Sequence, residues 1–89
     1  MIKKELQIIN KLGLHARAAA KLVQTASRYA SLIELTRNGK TVNGKSIMGV
    51  MMLAASQHSF IEVRIEGEDE VDAFNAIEKL IANRFGEER

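Results

Sequence analysis

The chain has no cysteine, no proline and no tryptophan, and its only aromatic residues are Tyr29, Phe60, Phe74 and Phe85. Without cysteine there is no disulfide staple and no thiolate metal site, and nothing signals the redox compartment. Its two histidines, His15 and His58, stand far apart in sequence, a poor basis for a metal centre, so neither a metal nor another cofactor is expected. So few aromatics leave no strand of interleaved aromatic and basic residues on which nucleobases could stack, which argues against nucleic-acid binding. No apolar run approaches the roughly 20 residues that cross a bilayer, and the charged, alternating start Met1-Ile2-Lys3-Lys4-Glu5 lacks the apolar segment of a signal peptide. The expectation is a soluble cytoplasmic protein with no membrane insertion.

What is present suits one domain spanning residues 1–89, since 89 residues at 46% hydrophobic content fill a modest core but not two. Charge is unevenly shared. Residues 1–46 carry nine Lys/Arg against two acids, a net +7, whereas residues 47–89 carry four against nine, a net −5. A basic half of this kind suits phosphate, nucleic acid or an acidic protein partner.

Residues 2–9 alternate, with Ile2, Leu6 and Ile8 on one face and Lys3, Glu5 and Gln7 on the other, which predicts a half-buried strand. Lys4 falls on the apolar face, where its stem can cover apolar surface while the ammonium reaches water. From Ala16 to about Ala30 the positions Ala19, Leu22, Val23, Ala26 and Ala30 keep helical spacing and leave Lys21, Gln24, Thr25 and Arg28 toward solvent. Alternation returns over Leu32–Arg37, and Asn38-Gly39 marks a hairpin turn to Lys40–Asn43. Ser46 is placed to cap a short helix over Ile47–Leu53, which Gly49 weakens. Phe60–Glu66 reads as a fourth strand, and a last helix with Asp69 as its cap buries Phe74, Ile77 and Ile81 before Gly86 ends it. The order is βαββαβα. Strands that each show one polar face imply an antiparallel sheet wetted on one side and covered by helices on the other, an α+β open-faced sandwich.

Chemistry concentrates in Gly13-Leu14-His15-Ala16-Arg17, where a glycine turn delivers a histidine to a helix start. The first amides of a helix lack intrahelical partners and sit at the positive end of its dipole, so an anion there meets donors and a favourable field. An imidazole in that place can act as a nucleophile toward a phosphoryl group, with Arg17 supplying a guanidinium fork and the amides of Ala16 and Arg17 binding phosphoryl oxygens. A lone histidine at a helix start is ordinarily a cap or a surface residue, and the wider context is what singles this one out. His58, in the polar loop Ser56-Gln57-His58-Ser59 with no arginine beside it, reads as a surface histidine.

Gly13-Leu14-His15-Ala16-Arg17 together with Asn43-Gly44-Lys45-Ser46-Ile47-Met48-Gly49 strongly resembles HPr, the histidine-containing phosphocarrier family of the bacterial sugar phosphotransferase system, over nearly the whole chain. The resemblance implies strand order 1-4-2-3 with three helices on one face. It also implies that His15 accepts a phosphoryl group, through Nδ1, from phospho-enzyme I and passes it to EIIA-type acceptors, so that the chain is a relay and not an independently turning-over enzyme. Ser46 matches the serine that HPr kinase/phosphorylase modifies. A labile phosphoramidate is best kept from carboxylates that activate water, and the nearest acids in sequence, Glu5 and Glu34, are distant. Many relatives carry proline where Ala18 stands; alanine keeps the fold and relaxes the helix start slightly.

Ile47, Met48, Met51 and Met52 cannot all be buried by so short a helix against one sheet. Ile47, Met48 and Met51, with Leu14 and Lys21, are therefore expected to form an adaptable docking surface for acidic partners. A monomer is expected. Two other readings fit the residues: a mainly regulatory relay of the nitrogen-related phosphotransferase branch, and a small nucleic-acid-binding domain that uses the basic half.

Overall fold

Period-two alternation produces four strands, the first of them ending at Gln7 instead of residue 9. The computed structural model describes residues 1–89, with β1 at Ile2–Gln7, β2 at Leu32–Arg37, β3 at Lys40–Asn43 and β4 at Phe60–Glu66. They form one antiparallel sheet in the order β1-β4-β2-β3, so the chain's last strand lies between its first two. In β2 and β4 the inward residues Ile33, Leu35, Ile61, Val63 and Ile65 are buried, and the register sets Leu35 opposite Val63 and Leu6 opposite Ile61. Asn38 and Gly39 turn the β2–β3 hairpin with φ of 51° and 78°, the pair of positive angles that a type I′ turn requires.

Three helices, α1 at Ala16–Ala26, α2 at Ile47–Met52 and α3 at Glu70–Ala82, cover the apolar face. α1 buries Ala18, Ala19, Leu22, Val23 and Ala26, the three alanines letting it lie close to its neighbours, while α3 buries Ala73, Phe74, Ile77 and Ile81. Lys4 behaves as its position on β1 suggests: its ammonium stands 5.6 Å from the Phe74 ring centroid and 3.7 Å from the Glu78 carboxylate.

Two helix boundaries differ from expectation, and one residue explains the first. α1 stops at Ala26 instead of near Ala30, and Ala30 is exposed. The Ala30 and Ser31 amides donate to the Asp69 carboxylate, at 2.8 and 3.0 Å, and the Ser31 hydroxyl donates to it as well. Asp69 therefore makes no side-chain cap for α3; it ties the end of α1 to the start of α3. The Ser31 hydroxyl first, and then the Ala30 amide, hold its carboxyl below the ordinary aspartate value.

The second departure shapes the functional site. α3 ends at Ala82, before Gly86, and Arg84, Phe85 and Gly86 all take left-handed angles, with φ of 55°, 56° and 79°. Such angles cost a non-glycine residue about 1 kcal/mol or more. Here they fold the tail back so that the Phe85 ring is completely buried in the core, a gain that outweighs the strain.

Candidate functional site

His15 occupies the N-cap of α1 in extended conformation, with φ of −72° and ψ of 176°, and its carbonyl accepts the first helical hydrogen bond from the Ala19 amide at 2.8 Å. Its side chain makes no cap bond. The imidazole is thus free for other work, and the opening amides of the helix keep their orphan donors. No acid stands in the first turn to satisfy them.

Gly13 places the histidine. Its φ is 65°, and a Cβ there would collide with the Ala55 carbonyl oxygen, so no other residue makes this turn without displacing the backbone. The Gly13 amide donates to the Asn10 carbonyl at 3.1 Å, and the Leu14 amide to the Ala55 carbonyl at 2.9 Å, which fastens the loop to the segment after α2. Leu14 departs from expectation: at 5% exposure it belongs to the core and not to a docking surface, because this turn points it inward. Lys21 departs too. Its ammonium donates to the Phe85 carbonyl at 2.7 Å, so it is half-buried against the tail instead of facing solvent.

The largest correction concerns carboxylates. The site does contain one, Glu87, whose Oε2 meets Nε2 of His15 across 72 positions of sequence. Its Oε1 accepts from the Nδ2 of Asn10 at 3.0 Å, and the same amide group donates to the Gly13 carbonyl at 2.8 Å. Burial alone would raise the Glu87 carboxyl, but the hydrogen bonds from Asn10 and His15 and the Lys21 charge hold it below the ordinary glutamate value. Glu87 is hence ionised at neutral pH with both oxygens engaged, and not an unoccupied base beside the ring. The His15 and Glu87 side chains are 27% and 13% exposed.

Around this pair lies an open cleft whose walls include Lys11, Leu12, Ala16, Arg17 and Arg89. Arg17 is exposed and enters no ion pair within the chain. Ala16 and Arg17 line this cleft at the start of α1, and its charged walls are mixed, with Lys11, Arg17 and Arg89 facing Glu87 and Glu88. Ala18, in contrast, is wholly buried. Asn10, Phe85 and Glu87 have no local signal in sequence: each gains its role from a contact with a distant segment.

Ser46 caps α2 as expected, its hydroxyl accepting from the Gly49 amide at 3.1 Å. α2 buries Val50, and Leu53 just beyond it, while Ile47, Met48 and Met51 stand 44%, 73% and 40% exposed. Met52, at 59%, extends the same apolar surface. His58 lies in an exposed loop away from the cleft; its backbone, with φ of 74°, bonds to Ile8.

The family model described as the PTS HPr component phosphorylation site matches residues 2–83. A phosphocarrier protein HPr of Xylella fastidiosa is 58% identical over 99% of both chains. A crystal structure of HPr from Thermoanaerobacter tengcongensis superposes with a TM-score of 0.96 at 47% identity, covering 100% of both chains. A second structure from that organism, an HPr dimer, gives 0.76 at 46% identity over 98% of this chain and 100% of the other. With its sheet order, its histidine at a helix start and these matches in agreement, the chain belongs to the HPr family, the phosphocarriers of the phosphotransferase system.

Proposed function

We propose that His15 is the residue that carries the phosphoryl group, taking it from phospho-enzyme I and handing it to EIIA-type acceptors in the cytoplasm. The observation that carries this reading is the His15 ring at the N-cap of α1, which makes no cap bond and keeps Nδ1 without a partner in the chain, within a cleft where Arg17 enters no ion pair. A dianionic phosphoryl group on the ring would meet the α1 amides of Ala16 and Arg17 and the Arg17 guanidinium together, donors already oriented before the group arrives. Arg17 would follow the charge as it passes between proteins. The reaction gives no free small-molecule product: one protein's phosphoryl group becomes another's.

Ile47, Met48 and Met51, with Met52 added, serve in this reading as the apolar part of the docking surface, and the basic residues around the cleft as its electrostatic part. Ser46 is the regulatory position for HPr kinase/phosphorylase in a cell that has that enzyme. A phosphate there adds negative charge at the edge of the docking face and hinders enzyme I. Equal rates of His15 phosphorylation with and without phosphoserine at position 46 would contradict that role. In this reading the chain acts as a monomer; light scattering should give 9.9 kDa, and twice that mass would contradict it.

The test incubates the protein with phosphoenolpyruvate and enzyme I and follows intact mass. One acid-labile phosphoryl group is expected, absent from His15→Ala. An acid-stable adduct, or uptake that survives the substitution, would overturn the assignment.

A further inference from the structure

An imidazole offers two nitrogens to chemistry, and at His15 the fold engages one of them. Nε2 meets the Glu87 carboxylate, whereas Nδ1 has no hydrogen-bond partner within the chain. An ionised carboxylate can only accept, so the hydrogen of the neutral ring must reside on Nε2 and the lone pair on Nδ1. We propose that Glu87 is a positioning residue for phosphoryl transfer: held by Asn10, it fixes the His15 ring in the tautomer and orientation that present Nδ1 as the nucleophile. This rests on His15 being the phosphoryl acceptor.

The geometry supports the role at each link. Asn10 is completely buried, and its amide nitrogen bridges the Gly13 carbonyl, in the loop that carries His15, to Glu87 Oε1, at 2.8 and 3.0 Å. The tail is fixed on its other side by the buried Phe85 ring and by the Lys21 ammonium on the Phe85 carbonyl. A nucleophile oriented by a group that is itself oriented by a third is the general form of an activated side chain.

The step balances without another reactant. The Nδ1 lone pair forms the nitrogen–phosphorus bond while the donor's bond to phosphorus breaks and its electron pair leaves with the donor. The ring then carries phosphoryl on Nδ1 and hydrogen on Nε2 and is formally cationic. Glu87 compensates that charge without removing the proton. On delivery the nitrogen–phosphorus pair returns to Nδ1, and the neutral ring is restored.

The test uses the full chain labelled with nitrogen-15 in histidine, at a pH above imidazole titration, as wild type and as Glu87→Ala. Long-range proton–nitrogen correlations should show His15 held as the Nε2–H form in wild type. In the variant they should move to the mixed pattern of the exposed His58, whose own signals stay unchanged and report an intact fold. The initial rate of phosphoryl uptake from phospho-enzyme I should fall about tenfold in Glu87→Ala, the factor of a lost charge-assisted hydrogen bond. Identical His15 nitrogen shifts in the two proteins, or an unchanged rate, overturn the proposal. Absence of uptake by the wild type would overturn the phosphocarrier reading instead, and the tautomer measurement would still decide whether Glu87 orients the ring.

Discussion

His15 is held from two sides that differ in kind. On one side the loop Gly13–Arg17 acts through its own local sequence: a glycine with positive φ, an N-cap position and an arginine two residues on. On the other side the tail after α3 acts only through topology, since Arg84 and Phe85 must take left-handed angles and Phe85 must reach the core before Glu87 can touch the imidazole. In the proposed reading the first side supplies charge and orphan amides for the phosphoryl group, and the second supplies orientation to the ring. The surroundings of one side chain can thus be built half from a motif and half from where the chain returns.

That contrast breaks most visibly at Phe85. Phe85→Ala should cost about 3–5 kcal/mol of stability by emptying a fully buried ring, read as a lower denaturant midpoint, and should free the tail from His15. A midpoint within error of wild type would mean that the tail does not depend on its core anchor. Arg17→Ala should leave the denaturant midpoint almost unmoved while slowing transfer from phospho-enzyme I about 100-fold, the usual effect of removing one preorganised donor from a developing anion. Stopped or quenched-flow rates check it, and equal rates would remove Arg17 from the site.

Ser46→Ala sharpens the same comparison at a position where structure and regulation meet. Loss of the cap on the Gly49 amide should cost about 1 kcal/mol, measured by thermal unfolding, with no change in His15 phosphorylation. The smallest effect is expected in acid. Asp69, Glu70 and Glu87 are each held below their ordinary values. Carboxyls with a lowered folded value contribute stability above the ordinary values of 3.8 and 4.5 and lose it as pH falls through the folded ones. Stability should therefore decline below about pH 4.5, with a shallower slope in Asp69→Asn. A slope identical to wild type would show that the bonds to Ala30 and Ser31 favour neither protonation state.

Most of the fold is legible in the sequence because its strands are half-buried. Ile61, Val63 and Ile65 alternate with charged neighbours and are all buried, and Asn38-Gly39 makes its turn by local sterics alone. Sheet order is not local, and only the resemblance to a family supplied it. Helix ends were less legible, since the carboxylate that takes the Ala30 and Ser31 amides beyond α1 lies 38 residues on from Ser31. The site divides along the same line. His15 and Ser46 occupy the N-cap positions expected of them, whereas Leu14 is buried instead of joining a docking surface and Lys21 bonds the Phe85 carbonyl instead of facing solvent as helical spacing suggests. Glu87 was beyond any motif: in sequence it is one acid among several charged residues of the tail, and only the left-handed turn at Arg84–Gly86 makes it a neighbour of His15.

Phosphorus-31 spectroscopy of the chain, charged by phosphoenolpyruvate and enzyme I, joins both sides of the site in one observation. A single phosphohistidine resonance with the shift of an Nδ1 linkage is expected, lost in His15→Ala and discharged when an EIIA-type acceptor is added. A resonance from an Nε2 linkage or from phosphoserine, or one that survives the removal of His15, would contradict the account.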